Sequence, residues 1–211
     1  MTIDPFLAYE NELIDSYAWH QALWDCFPNN PNKKRDFLTR IDEHQGCFTA
    51  WLLSPEKPFL PAWCPKEQFV IKEISPSFLS HQFYAFDLRV NPTRAVVQFE
   101  SNGEPILNEK GKIKRGKRIP LTKKEELLSW IERKAFVGGF RLVPSKSLEI
   151  GPMVETYFSQ KGNRAYHGGV EFRGMLEVTE RKKFQETYYS GIGGAKGFGF
   201  GLLLLAPVSH L

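Results

Sequence analysis

Tyr17 and His20 stand three residues apart, within a stretch that runs Ser16-Tyr-Ala-Trp-His-Gln-Ala-Leu-Trp-Asp-Cys-Phe27. On a helix that spacing makes them neighbours, one turn apart. An imidazole gives or takes a proton near neutral pH, since its unperturbed pKa is about 6.5. A phenol beside it can donate a hydrogen bond to a phosphate oxygen. Set against this, a histidine on an apolar helix face is more often a packed, hydrogen-bonded core residue, and the pair alone leaves both readings open.

A second stretch able to do chemistry lies near the other end. Gly191-Ile-Gly193-Gly194-Ala-Lys196-Gly197-Phe-Gly199-Phe-Gly201 places six glycines and one lysine in eleven positions. Glycine gives the backbone positive φ and lets a ligand come close, so this reads as a loop built to touch something. It is preceded by a charged, periodic segment, Thr179 to Tyr189, and followed by an apolar run, Phe200 to Leu205. The order is helix, loop, strand. A dinucleotide fingerprint or P-loop needs strand, loop, helix, because the helix N-terminus supplies the phosphate's donors. The spacing also departs from GxGxxG, with Lys196 where a glycine is required, and the alternative is a flexible turn before a buried last strand.

The third stretch is basic. Lys110, Lys112, Lys114, Arg115, Lys117 and Arg118 fall within nine positions, with Gly111 and Gly116 among them. A hairpin arm of this composition neutralises several phosphates of a nucleic acid; a solvated, mobile loop has the same letters. Residues 1–95 carry nine Lys and Arg against twelve Asp and Glu, whereas residues 96–211 carry nineteen against twelve. The second half is therefore the expected polyanion-binding half.

Composition removes other classes. A chain of 211 residues with 42% hydrophobic and 14% aromatic content is folded rather than disordered. Cys26, Cys47 and Cys64 form no CxxC, and the five histidines show no HxxxH or HExxH spacing. Neither a metal nor a cofactor is expected. The N-terminus has acidic residues where a signal peptide has basic ones, and there is no apolar run of transmembrane length, so a cytoplasmic protein without membrane contact is expected.

The elements that must position these stretches follow from periodicity and caps. Ile3 to Ala8 reads as an edge strand, weakened by Asp4 and Pro5. A helix starts at an Asp15 or Ser16 cap and runs to Phe27, where Pro28 and Pro31 stop it; Leu13, Tyr17, His20, Trp24 and Phe27 share its apolar face. Lys33 to Leu38 reads as a short helix, and Cys47 to Leu53, Phe69 to Ile74 and Gln82 to Val90 read as strands. Beyond a strand-like Ala95 to Phe99 and the basic segment, Thr122 caps a helix, Lys123 to Phe136, ended by Gly138-Gly139. Phe140 to Val143, Thr156 to Phe158 and Gly169 to Val178 are strands. Residues 117–208 thus run β-α-β-β-α-β, the ferredoxin-like order. The expected class is α+β, with two tandem ferredoxin-like (RRM-like) domains over residues 1–95 and 96–211, the N-terminal one less regular.

Taken together, the stretch Tyr17 to Pro28, Arg35-Asp-Phe-Leu38, Phe86-Asp-Leu-Arg-Val-Asn-Pro92, Gly111-Lys-Ile-Lys-Arg115, Arg118-Ile-Pro-Leu121, Trp130-Ile-Glu-Arg-Lys134 and the glycine loop running into Leu203-Leu-Leu-Ala-Pro207 resemble the CasE family. These are the CRISPR precursor-RNA endoribonucleases of type I-E Cascade systems. The resemblance implies a protein that is monomeric when free, binds the stem-loop of CRISPR repeat RNA, cuts at the base of the stem without metal, and stays on its product beside other Cascade subunits. The implied reaction is attack of a 2′-OH on the adjacent phosphorus, giving a 2′,3′-cyclic phosphate or a 3′-phosphate and a 5′-OH. His20 falls on the family's catalytic histidine, as general base to the 2′-OH or general acid to the leaving 5′-oxygen, and Tyr17 on a tyrosine that orients the nucleophile or stabilises phosphorane charge. Gly193, Gly194, Lys196 and Gly197 would lie against RNA backbone, and residues 110–118 against the stem. One departure is Asp25, at a position where some relatives carry a basic residue; it favours the alternative of a hairpin-holding subunit that no longer cuts.

Overall fold

The computed structural model describes residues 1–28, 36–109, 111–144, 148–160 and 163–208, with the backbone alone at 115, 155–160 and 163–167. In chain order the elements are β1 (Thr2–Ile3), α1 (Pro5–Glu10), α2 (Ser16–Trp24), β2 (Leu38–His44), β3 (Cys47–Leu53), β4 (Phe83–Val90), β5 (Thr93–Val97) and β6 (Arg115–Pro120). There follow α3 (Lys124–Val137), β7 (Phe140–Leu142), β8 (Glu149–Ile150), β9 (Val154–Gln160), β10 (Asn163–Val178), α4 (Arg181–Ser190) and β11 (Leu203–Val208). The result is a mixed fold of helices and antiparallel sheets. Among the described residues no helix is long and apolar enough to cross a membrane.

Asp4 and Pro5 decide how the chain begins. The Asp4 carboxylate accepts from Leu7 N–H at 2.8 Å, and Pro5 opens α1 where its missing N–H costs nothing. The expected strand over Ile3 to Ala8 therefore stops at Ile3. A strand that the sequence reading lacks, β2, begins at Leu38, where the end of a short helix was expected; the rest of that stretch, Lys33 to Arg35, lies outside the described residues. Gln45 and Gly46, both at positive φ (50° and 77°), make the two-residue turn into β3, the arrangement that matches strand twist in a tight hairpin. The sheet order is β1-β3-β2, and α2 covers it by burying Trp19 in a cluster with Ile3, Ala50 and Cys64. Residues 69–74 form no strand: Val70 and Ile71 are exposed, and no described strand pairs with them.

The larger sheet runs β11-β4-β10-β7, with β8 and β9 also paired to β10. Its register sets Leu88 of β4 opposite Phe172 of β10 and Leu203 of β11. Along β4 the burial alternates strictly: Tyr84, Phe86, Leu88 and Val90 face a core built with Trp130 and Ile131 of α3 and Phe184 and Tyr188 of α4. The intervening residues, Asp87 and Arg89, point to the other face. Phe83–Val90 thus lies at the centre of the second sheet, ahead of the expected division at residue 95, because its apolar face is complementary to α3 and α4 rather than to α2. α3 opens at Lys123 and not at Thr122, with no side-chain cap at its start.

Between the two sheets runs a charged seam. Arg40 of β2, buried to 2% exposure, donates to Asp42 at 2.8 Å and to Asp87 at 2.6 Å. Arg89 donates to Asp42 and Glu171 at 2.7 Å each and to the Ile41 carbonyl at 2.6 Å. Arg173 completes the set, meeting Asp87 at 2.8 Å and Glu171 at 2.9 Å. Three arginines and three carboxylates balance, so each charge withdrawn from water has a partner. Burial disfavours the Asp87 carboxylate, but hydrogen bonds and charge from Arg40 and Arg173 prevail and hold its pKa below the usual carboxylate range.

Candidate active site

The helix that carries the sequence-predicted pair is set by its first residues. Asp15 is the cap: one carboxylate oxygen accepts from Tyr17 N–H at 2.9 Å and Ala18 N–H at 2.8 Å, answering the orphan donors of the first turn. Trp19 and Leu23 are the residues α2 buries. The row Tyr17, His20, Trp24 and Phe27, expected on the core face, is only half-buried and lies on another side of the helix. This is a correction that matters for chemistry, since a half-buried His20 is open to a ligand and a core one is not. Its ring rests against Trp24 at 6.2 Å and Phe37 at 6.3 Å between centroids, and Trp24 Nε1–H donates to its Nε2 at 3.3 Å.

The glycine loop comes to the same place from the other end of the chain. Gly191 ends α4 at φ 75°, its N–H on the Thr187 carbonyl at 2.8 Å. At Gly201, φ is 88° and a Cβ would stand 2.6 Å from the Ile192 carbonyl, so no other residue fits. Gly201 N–H reaches the Arg89 carbonyl at 2.8 Å, which ties the loop to β4 and so to the charged seam. The loop is therefore a held structure rather than a slack turn. Phe198, Gly199 and Phe200 form one wall of a cavity of about 510 Å³, with His20, Asp15 and Ser16 of α2 on another and Arg89 also lining it.

Other predicted residues divide into two groups. Lys196 Nζ donates to the Ser190 carbonyl at 2.5 Å, capping the C-terminus of α4, and Gly197 follows it in a single 3-10 turn, Lys196–Phe198. Gly193 lies over Trp130, and Gly194 comes close to the Arg118 guanidinium, 3.8 Å from where its Cβ would be. Lys112, Lys114 and Lys117 are exposed on the arm made by β5 and β6, whose tip is closed by the bridge Leu107 to Ile113. Lys110 lies outside the described residues, and Arg115 is described by its backbone alone. None of Lys112, Lys114 and Lys117 lines the cavity that His20 walls, and Arg118, on β6 of the arm, lies beside the glycine loop.

Arg133 and Lys134 are two further candidates that sequence reasoning did not single out for the site. Lys134 sits over the Trp130 ring at 5.5 Å. Burial, and then the charges of Arg133 and Arg118, push its pKa below the ordinary lysine value. Among the described residues no carboxylate pairs with any of these three cations. In the sequence Arg133 and Lys134 look like dipole partners at a helix end; the signal that could have separated them is Trp130 beneath, one turn before Lys134. Cys26 is buried, and burial, with help from Cys64 and Asp25, raises its thiol to about 12, which leaves it inert. Among the described residues no group of His, Cys, Asp and Glu is placed to hold a metal ion.

Known proteins resemble this chain along nearly its whole length. Residues 2–207 match the family model described as CRISPR associated protein. The CRISPR system Cascade subunit CasE of Escherichia coli is 34% identical over 202 residues, covering 92% of this chain and 93% of that one. The CRISPR-associated endoribonuclease Cse3 of Thermus thermophilus is 28% identical over 218 residues, covering 95% and 94%. A structure of CRISPR endoribonuclease Cse3 bound to a 19 nt RNA shares the fold, with a TM-score of 0.74 at 23% identity over 98% of this chain and 97% of the other. The match runs through both sheets, α2 and the glycine loop alike, and the chain belongs to the CRISPR associated protein family as a relative of CasE.

Proposed function

We propose that this protein is an endoribonuclease that binds the stem-loop of CRISPR repeat RNA, cuts at the base of the stem, and stays on the product as a subunit of a Cascade-type complex. One observation carries the reading: His20, from the first sixth of the chain, and Phe198-Gly199, from its last sixteen residues, wall the same cavity. A proton-transfer group and a glycine loop close enough to take a phosphodiester between them are what cleavage of an RNA backbone requires.

The reaction is transesterification. The 2′-oxygen of the nucleotide before the scissile bond attacks phosphorus, the bond to the 5′-oxygen breaks, and the products are a 2′,3′-cyclic phosphate and a 5′-OH. The proton lost by the 2′-oxygen is balanced by one gained at the 5′-oxygen, so neither metal nor external water enters the net step. His20 moves the proton, and the Tyr17 phenol hydrogen-bonds the nucleophile or a non-bridging oxygen. Arg118, Arg133 and Lys134, with the backbone of Gly193 and Gly194, hold phosphates next to the cut. Lys112, Lys114 and Lys117 grip the stem by charge and shape, because A-form RNA hides its base edges in a deep groove.

The architecture that supports this is a pair of ferredoxin-like units. The order β11-β4-β10-β7 with α3 and α4 on one face is that of the complete motif, and β1-β3-β2 with α2 is an incomplete one. The junction falls between β3 and β4, and the free protein is a cytoplasmic monomer.

The test is incubation in EDTA with the repeat RNA of the CRISPR array beside its gene, against the same RNA carrying a 2′-deoxy nucleotide just before the cut. Cleavage of the first alone, ending in a cyclic phosphate, is the expected result. Tight binding with neither RNA cut would mean a hairpin-holding subunit, with Asp25, exposed at the end of α2, the first residue to change.

A further inference from the structure

Trp24 Nε1–H donates to His20 Nε2 at 3.3 Å across one turn of α2. An indole nitrogen only donates, so Nε2 is the acceptor of this hydrogen bond, and Nδ1 on the other side of the ring is buried. The pair is braced from the side. Trp24 meets Phe37 edge-on at 4.9 Å between centroids, and Phe27 stacks on the same ring at 4.8 Å. Phe37 is buried to 1% exposure, which gives the indole a fixed surface to lie against.

We propose that Trp24 is a positioning residue for His20, holding it as the neutral Nδ1–H tautomer with Nε2 kept as a proton acceptor, and that the substrate 2′-hydroxyl replaces the indole as the donor to Nε2. This rests on the reading of His20 as the proton-transfer group. Two other states of the ring, the imidazolium and the Nε2–H tautomer, each set an N–H against the indole N–H and are disfavoured while Trp24 is in place. The arrangement therefore selects His20 as base and assigns the proton to Nε2. In the step itself the 2′-O–H bond breaks and an N–H bond forms at Nε2. The electron pair left on the 2′-oxygen makes the bond to phosphorus as the bond to the 5′-oxygen breaks. The 5′-oxygen takes a proton from solvent water, and the imidazolium returns one to it.

Other ionisable groups around the ring are unchanged by a substitution at Trp24. Asp15 and Tyr17 lie on its own helix, and Tyr9 on α1, Glu43 on β2 and Arg89 on β4 line the shared cavity. Trp24→Phe keeps an aromatic ring on this side of Phe37, smaller than the indole, and removes the donor. Loss of one hydrogen bond of ordinary strength should raise the apparent pKa of the acid limb of the cleavage profile by about 0.5 to 1 pH unit, slowing cleavage about three- to tenfold deep in that limb and by no more than about threefold near neutrality. Hairpin affinity should stay within about twofold, since neither charge nor phosphate donor is lost.

Two measurements decide it: nitrogen NMR of histidine-labelled, RNA-free protein, with His20 assigned by its absence in His20→Gln, and single-turnover cleavage of the repeat hairpin across pH at subsaturating protein, where the profile reports the free protein, by wild type and Trp24→Phe. The expected result is an unprotonated Nε2 in wild type, a mixture of tautomers in Trp24→Phe, and the shifted acid limb. A protonated Nε2 in the wild-type spectrum overturns the inference and leaves the nuclease reading intact, and it needs no variant to fold. A Trp24→Phe profile superposable on wild type overturns the positioning role. If wild type binds the hairpin and cuts nothing, the nuclease reading fails and takes the role of Trp24 with it.

Discussion

Two clusters of cations in this molecule look alike in composition and differ in what surrounds them. Arg40, Arg89 and Arg173 meet Asp42, Asp87 and Glu171 at the seam between the sheets, and every guanidinium there has a carboxylate. Arg118 lies beside Gly194, no described carboxylate pairs with Arg118, Arg133 or Lys134, and burial, then the charges of Arg133 and Arg118, lower the pKa of Lys134. A balanced cluster is structure, because its charges are answered within the fold. An unbalanced one repels itself, which is the electrostatic ground for the proposal that RNA phosphate lies there.

The comparison can be broken most forcefully at Arg40. Arg40→Ala leaves Asp42 and Asp87 facing each other without their shared cation, and stability should fall by about 3–5 kcal/mol, read as a lower urea midpoint. A loss under about 1 kcal/mol would mean that the seam is decoration. Gly201→Ala should follow, at about 1–3 kcal/mol, since its Cβ would stand 2.6 Å from a carbonyl oxygen at a backbone φ of 88°. Because the loop walls the cavity, cleavage should fall further than stability alone explains.

Acid sharpens the contrast next. The folded pKa of Asp87 is depressed, so its pairing contributes stability that is fully present above the unfolded value of 3.8 and is lost as pH falls through the folded one. Urea midpoints of the wild type should decline across that window, and those of Asp87→Asn, already lowered at neutral pH, should decline less. The smallest stability effect belongs to the unbalanced cluster. Lys134→Gln should change stability by less than about 0.5 kcal/mol, yet weaken hairpin binding and reduce its salt slope by about 0.7 to 0.9. A salt slope equal to wild type would remove α3 from the RNA interface.

The same contrast explains what was legible in the sequence. Tyr17 and His20, the glycine loop, α2, α3, α4, β4 and β10 announce themselves through period, caps and composition, all local signals. β2 does not. Its inward position is held by Arg40, whose partners come from residues 87 and 171, and a strand that buries an arginine reads as polar when its partners are unseen. Residues 69–74 mislead in the opposite sense, being apolar enough for a strand and left without a partner edge. The row of Tyr17, His20, Trp24 and Phe27 on α2 shares an apolar face by spacing, which leaves both core and site legible for His20. Only the packing of Trp19 and Leu23 shows which side of the helix is covered. Likewise Arg133 and Lys134 become candidates only when β6 brings the charge of Arg118 to bear on Lys134.

The central claim, that the half-buried His20 at the shared cavity does the chemistry while the cations do the holding, is tested most directly by His20→Ala. Single-turnover cleavage of the repeat hairpin and its Kd would be measured on the same preparation. The account predicts a fall in cleavage rate of about 10²- to 10⁴-fold with affinity nearly unchanged. Undiminished cleavage, or an affinity that collapses together with the rate, would contradict it and return His20 to the core residues.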